Sequence, residues 1–545
     1  MRQLACLCLL AAPAALAAQT PATSAAARVA SALDARVLRA HIEFLADDAL
    51  EGRAPATRGG ATAARYIATQ FERIGLEPAG DSGTWYQRVP IISLTPEPTL
   101  AAERPSVGPL TWKKDFVMWS MRNDSLVDAR GDAVFVGYGI VAPEYGWNDY
   151  AGVDAKGKIV ITLVNDPGLR DSAIFRGKIL TYYGRWTYKI EEAQRQGAAG
   201  ILMIHTTESA TYPWSTVLSG WVGPQVRLET PPGSLRVAGW LQQGAAARLF
   251  QQSGRDLAAL TAAAARPGFR AVPLGLQLGA AVRSTIRRSE TNNVLGRWPG
   301  RGPLARETVL IGGHYDHFGI GAPVDGDSIY NGAEDNASGT GGVLAAAEAF
   351  ARSGVHTARS IVFIGFAAEE SGLLGSQALA SSPPFPLRDM AAILNLDVLN
   401  LHGRTRDFSA LGLDQSTLGQ TMTLAARAEG LKVTTNEEAL LQGSYYRSDH
   451  FSLAKAGVPG TSLETGSDFV GRPAGWGREQ SDKYVAERYH QPSDEVAPWF
   501  DYDGAMQQLR VTVRTAVAVG DAARPPAWNA SSEFRQAGES RRSGK

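Results

Sequence analysis

"SIVFIGFAAEESGLLGS", residues 360–376, decides the fold. Its first half is an apolar run of strand length, and it delivers Glu369 and Glu370 side by side where that run ends. A strand without polar alternation is buried on both faces, the mark of a parallel sheet covered by helices. Two adjacent carboxylates at the mouth of such a core repel each other unless positive charge sits among them.

The same pattern recurs from Thr291 onward. "ETVLIGGHYDH" (307–317) and "AAILNLDVLNL" (391–401) read as strands, and "TGGVLAAAEAFARSG" (340–354) and "TLGQTMTLAARAEG" (417–430) as helices. Alternation of short apolar strands with helices predicts an α/β fold, a mostly parallel sheet with helices on both faces and right-handed crossovers. Ligands of such sheets bind beyond the C-terminal strand edges. The residues found there are His314 and Asp316, Glu369 and Glu370, and Asp397; Asp335 lies in "YNGAEDNASGTGG" (330–342) and His490 in "ERYHQPSDE" (487–495). Any one of them alone reads as a cap, a turn or a satisfied core group, as Asp335 would at the start of the helix that follows it. Converging on one rim, they require cations. Imidazole with carboxylate suits zinc, with manganese or cobalt as alternatives. One zinc uses about three protein ligands; two metals sharing a carboxylate use the set more completely and leave one glutamate free to act as a base.

The whole chain bounds these readings. At 545 residues it exceeds one compact core, and 54 basic against 54 acidic residues leave no net field to draw nucleic acid or an anionic membrane. Residues 1–18, one arginine followed by a short apolar run and small residues, read as an export signal, so a periplasmic or secreted protein is expected. Both cysteines, Cys6 and Cys8, fall within it, and no later stretch is apolar enough to span a membrane. The mature protein would carry no thiol, which confines metal ligands to histidine, carboxylate and water. "LDARVLRAHIEFLADDALEGR" (33–53) and "GGATAARYIATQFERIGLEP" (59–78) have helical spacing, and residues 101–284 change to short β-type runs with a few helices. The expected organisation is signal 1–18, first part of the catalytic domain 19–100, inserted β-rich domain 101–284, second part 285–522 and tail 523–545.

"GGHYDH", "EDNASGTGG", "FAAEESGLLGS", "LNLDVLN", "RSDHFSLAKAGVPG" and "ERYHQPSDE", in this order, resemble the co-catalytic zinc exopeptidases of metallopeptidase family twenty-eight. That family includes secreted bacterial aminopeptidases, glutamate carboxypeptidase and a receptor relative, the transferrin receptor. The resemblance covers about Thr291 to Ala522 and the N-terminal helices with "FLADDALEGR" (44–53), while "AKGKIVITL" (155–163) and "AQRQGAAGILMI" (193–204) resemble the protease-associated domain. It implies two Zn2+ per chain, one held by His314, Asp335 and Asp397, the other by Asp335, Glu370 and His490, with Asp335 bridging. Glu369 would be the base that activates a metal-bridging water toward a peptide bond, most simply at the amino end of a peptide substrate. Asp316 would orient His314, and Tyr489 is similar to a tyrosine that donates to the oxyanion in some family aminopeptidases. His317, Asp449 and His450 read as structural or rim groups, and His41, His205, His356 and His402 fit no constellation. The alternatives are a glutamate-carboxypeptidase-like enzyme, for which Arg447, Arg185 or Arg227 could reach a substrate carboxylate, a single-zinc glutaminyl-cyclase-like enzyme, and a receptor-like relative. Oligomeric state has no signal in the sequence.

Overall fold

The computed structural model describes residues 24–102, 110–231 and 233–543. The expected export signal and both cysteines lie outside the described residues. Among the described residues no helix is long and apolar enough to cross a membrane.

Strand Thr308–His314 lies between Ser360–Phe366 and Met390–Asn395, parallel to both, and Gly460–Glu464 extends the parallel set. The apolar runs sort by pleat. Val309 and Ile311 with Ile361 and Phe363 pack into one core, and Leu310 with Val362, Ile364 and Phe366 packs into another on the opposite face. Each buried side chain of this size contributes roughly 1.5–3 kcal/mol. Helices Ala25–Ala32, Ala35–Leu45, Arg58–Arg73, Gly339–Ser353 and Asp503–Asp521 cover the first face, and Leu374–Ser381 and His450–Lys455 the second. This is an α/β sheet covered on both sides.

The sheet does not stop there. Strand Val272–Trp298 is 27 residues long and strand Tyr86–Ala102 is 17, and the two pair antiparallel from Val294↔Tyr86 to Leu278↔Ala102. At its C-terminal end the longer strand pairs with Ser360–Phe366, and at its N-terminal end with Leu126–Phe135. Beyond Leu126–Phe135 the sheet continues through Ile159–Leu163, Gly200–His205 and Val237–Gln242, all parallel, and ends at Phe116–Ser120. One sheet thus serves two lobes, the parallel set around Thr308–His314 and a β-rich set comprising Phe116–Ser120, Leu126–Phe135, Ile159–Leu163, Gly200–His205 and Val237–Gln242. Positions 101 and 284, where the sequence suggests boundaries, lie inside this ribbon, in the pairs Ala101↔Gly279 and Ser284↔Pro96.

The C-terminal segment fastens the lobes. Glu533 accepts hydrogen bonds from the Tyr182 N–H (3.0 Å) in one lobe and the Tyr446 hydroxyl (2.6 Å) in the other. Phe534, 2% exposed, packs between Tyr182 and Tyr445. Arg541 donates to the carbonyls of Gly457, Leu387 and Met390.

Burial raises the Glu533 carboxyl to about 7, whereas in an unfolded chain it titrates near about 4.3. The folded state therefore holds this proton across a window where the unfolded state has lost it. That contribution to stability is present below the unfolded value and is lost as pH rises through about 7. Denaturant unfolding of the wild type and Glu533→Gln, followed from about pH 5 to about pH 8, is expected to show the wild type losing stability relative to the variant; parallel curves would mean that Glu533 is ionised throughout.

Candidate active site

His314 ends its strand with Nε2 directed at two carboxylates, 3.3 Å from Asp335 Oδ1 and 3.4 Å from Asp397 Oδ1. His490 Nε2 lies 3.3 Å from Asp335 Oδ2 and 3.3 Å from Glu370 Oε2. Asp335 therefore spans the two imidazoles, one oxygen toward each. Glu369 Oε2 stands 4.0 Å from His314 Nε2. Atoms of His314, Asp335 and Glu370 lie within 4.8 Å of one another, and so do atoms of His314, Glu369 and Asp397. The structure thus brings His314, Asp335, Glu369, Glu370, Asp397 and His490 to one patch of the sheet edge. Two imidazoles and four carboxylates without sulfur form a donor set that fits borderline or hard divalent cations.

The loops behind these side chains are tied to one another. The Asp316 carboxylate accepts the backbone N–H of Glu369 (3.1 Å) and of Glu370 (3.4 Å). Its carboxylate is 3.8 Å from His314 Nδ1, and its main-chain carbonyl is the nearer partner of that nitrogen, at 3.2 Å. Asn336 Nδ2 donates to Leu396 O, and Asn336 Oδ1 accepts the Val398 N–H, joining the loops of Asp335 and Asp397. The Ser448 hydroxyl donates to Asp397. A Cβ at Gly332, where φ is +57°, would meet Asp335 O at 2.1 Å, so only glycine permits this approach. Ala368, Val398 and His490 also adopt positive φ, at 56°, 55° and 59°, each at or beside a site residue. For a β-branched residue such as Val398 this is a strained conformation held by its surroundings.

Burial combines with crowding to perturb the titrating groups. Loss of water, reinforced by neighbouring carboxylates, raises Glu369 and Glu370 well above the usual range. Burial alone would lower His314, yet Glu369, Asp335 and Asp397 hold it well above its ordinary value. Burial works against the Asp335 charge too, and hydrogen bonds from His314 and His490 carry its pKa below the normal range. Tyr489 is 41% exposed and stacks on His490 with ring centroids 3.7 Å apart. Partial loss of water and then the charges of Asp335 and Glu370 raise its hydroxyl.

His317, read as a structural or rim group, is fully buried with Nδ1 2.7 Å from Glu370 Oε1. Two further supporting residues escaped the sequence reading. Asp494 accepts the backbone N–H groups of Glu334 and Asp335, each at 3.1 Å, and fixes the Asp335 loop. Arg53 is fully buried, and its guanidinium donates to the carbonyls of Tyr315, Leu45, Asn331 and Gly332. Burial lowers its pKa to about 10, while Asp316, Asp494, Asp335 and Glu370 favour its charge. Asp494 and His317 stand within the quoted motifs, next to ligand-type residues. Arg53 follows an amphipathic helix, and nothing in its spacing marks it as a core group. Asp449 and His450 are buried as well, His450 with its ring 4.6 Å from that of Tyr445.

Fold and rim together define an α/β protein with a polar, cation-seeking site at the C-terminal edge of its parallel strands. The model of peptidase family M28 matches residues 293–514. Leucine aminopeptidase 1 of Grosmannia clavigera (strain kw1407 / UAMH 11150) is 28% identical over 231 residues, 41% of this chain and 51% of that protein. Leupeptin-inactivating enzyme 1 of Streptomyces exfoliatus is 30% identical over 179 residues, 33% of this chain and 36% of that protein. The chain spans about half the length of the leucine aminopeptidases it matches. An aminopeptidase from Aneurinibacillus sp. strain AM-1 aligns with a TM-score of 0.42 and 19% identity over 92% of this chain and 96% of that one.

Replacing Arg53 by Met would strand several buried carbonyls and remove the internal cation beside the acids, a loss of about 3 kcal/mol or more. Denaturant unfolding in the presence of chelator should give Arg53→Met the largest loss and Arg53→Lys, which keeps the charge but not the fork, an intermediate one. Equal stability of Arg53→Met and wild type would show that the contacts carry no net energy.

Proposed function

We propose that the protein is an exported, zinc-dependent exopeptidase that removes residues from the amino end of peptides. The observation that carries this reading is the position of Asp335 between His314 and His490, with Asp397 and Glu370 beside them. Such a set suits two cations sharing one carboxylate, His314, Asp335 and Asp397 holding one and Asp335, Glu370 and His490 the other. The leucine aminopeptidases similar to this chain support the choice of reaction. The character of residues 1–18 supports export to the periplasm or beyond. In this reading, segments 19–100 and 285–522 make the catalytic unit, 101–284 an inserted protease-associated unit and 523–545 a tail.

When bound, the two ions supply Lewis-acid polarisation of the scissile carbonyl and make water more acidic. The chain does the rest. Glu369 is nearly enclosed, its carboxyl is raised, and its backbone N–H is anchored by Asp316, so it can take a proton from water and return it to the leaving amine. Tyr489, on the open side of His490, can donate its hydroxyl proton in a hydrogen bond to the oxyanion as charge develops there. Asp316 acts as a positioning residue, on the Glu369–Glu370 backbone as well as on His314.

A second reading rests on one further observation. Arg185 has its Nε enclosed without an acceptor, and its pKa is lowered to about 10, first by burial and next by the charge of Arg447. Arg447 adjoins Ser448, which is bonded to Asp397. Two neighbouring guanidinium groups without an ion pair among the described residues, one of them next to Ser448, would suit a substrate carboxylate, as a carboxypeptidase-like enzyme requires. Arg227 Nη2 donates to Arg122 O and Asn123 Oδ1.

Glu369→Gln is expected to retain both metals by elemental analysis while turnover falls by about 100-fold or more; a fully active variant would remove Glu369 from the base role. A mass-spectrometric time course on one peptide, free and N-acetylated, separates the readings. Loss from the free amino end alone supports the aminopeptidase. Loss from the carboxyl end of both forms, abolished in Arg185→Gln, supports the carboxypeptidase-like enzyme.

A further inference from the structure

The β-rich lobe contains a cavity of about 920 Å³ that shares no residue with the rim. It opens where the parallel strands of this lobe end. Leu163 ends one strand and Val164 follows it, Ile204 is next to last in another and Thr206 follows it, and Tyr138 comes after the strand Leu126–Phe135. A crevice at the carboxyl ends of parallel strands is the usual ligand position in open α/β sheets, and this volume lies at the upper end for small-molecule sites.

The lining is mainly apolar. Leu163, Val164 and Ile204 are buried beneath it, and one wall is helix Leu257–Ala264, "LAALTAAA". Only Ala264 of this helix is fully buried: Leu257 and Leu260 pack partly on the core, while Ala258, Ala259, Ala262 and Ala263 are open to water. Such a helix is short of the length that is stable by itself, and covering its face would remove that apolar area from water.

The polar groups are unevenly satisfied. Arg170 is neutralised by Glu208 through two contacts of 3.1 and 2.7 Å, and Thr206 Oγ1 meets Ser209 Oγ at 2.7 Å. Asp256 spends Oδ1 on the N–H groups of Ala258 and Ala259, capping the helix. Arg255, at the same end, has no side-chain hydrogen bond or ion pair among the described residues. An apolar chamber with one uncommitted guanidinium at its edge is complementary to an apolar molecule that ends in an anion.

We infer that this cavity is a second binding site, distinct from the rim, for an apolar molecule with a terminal carboxylate, its body along helix Leu257–Ala264 and its carboxylate on Arg255. That chemistry belongs both to a medium-chain fatty acid and to the free carboxyl end of a hydrophobic peptide.

Titration calorimetry on the full chain with decanoate and with acetyl-Leu-Leu-Phe, each against its uncharged amide, tests this and separates the sources. At least one carboxylate should bind about tenfold more tightly than its amide, a difference of about 1.4 kcal/mol. Saturation by decanoate alone would identify a lipid ligand, by the peptide alone a peptide ligand. Arg255→Gln, at an exposed position, should erase the preference for carboxylate, and Ala262→Phe should abolish binding by filling the chamber. Equal binding of acid and amide, binding unchanged in Ala262→Phe, or no saturation by either carboxylate would overturn the inference.

Discussion

Everything at the rim follows from one constraint: carboxylates are held within a few ångströms of each other at the edge of a low-dielectric core. Two unit charges 4 Å apart interact by about 4 kcal/mol at an effective dielectric of 20. Asp335, Glu369, Glu370 and Asp397 multiply that term, and burial raises Glu369 and Glu370 further. No arrangement of apolar packing relieves such a cluster. Protons, imidazoles or cations must, and the structure supplies the imidazoles in the places where cations would complete the balance.

The cost of this arrangement is met by rigidity. His314, Glu369, Glu370 and Asp397 end or closely follow strands buried on both faces, so their Cα positions are fixed by the pleat and by two cores; Asp335 and His490 come from loops. The loops that carry them are then stitched to one another by Asp316, Asn336, Ser448 and Asp494. Residues at positive φ mark where the chain is bent out of its preferred conformations to bring the side chains inward. Arg53 joins the first helices to this assembly by gathering carbonyls from either side of the His314 and Asp335 loops. The N-terminal helices are therefore part of the site's foundation, even though they contribute no ligand-type residue.

The β-rich lobe is joined to the rest by continuity of the sheet rather than by a flexible linker. The paired strands Tyr86–Ala102 and Val272–Trp298 carry backbone hydrogen bonds from one lobe into the other. Segment 180–185 then packs against 443–451 through aromatic contacts, Tyr182 with Tyr446 and Phe451 among them, and Glu533 bonds to both sides. This seam includes Ser448, whose hydroxyl donates to Asp397 at the rim.

By itself the sequence determined the α/β class, the strands around His314, Glu369 and Asp397, and the set of residues that meet at the rim. Those features are legible because a doubly buried strand must be apolar throughout and must end where polar groups begin, so strand and site are written into one contiguous stretch. The roles of Arg53, His317 and Asp494 and the shared sheet were decided only by tertiary structure. A buried arginine is spelled the same as a solvated one, and its partners here are backbone carbonyls, which have no signature in the sequence. The long ribbon reads as short β-type runs because strand Val272–Trp298 carries Arg283, Arg287 and Arg288 along its exposed middle. Pairing across hundreds of residues, and the charges it brings together, are set by three-dimensional register, and register has no local code.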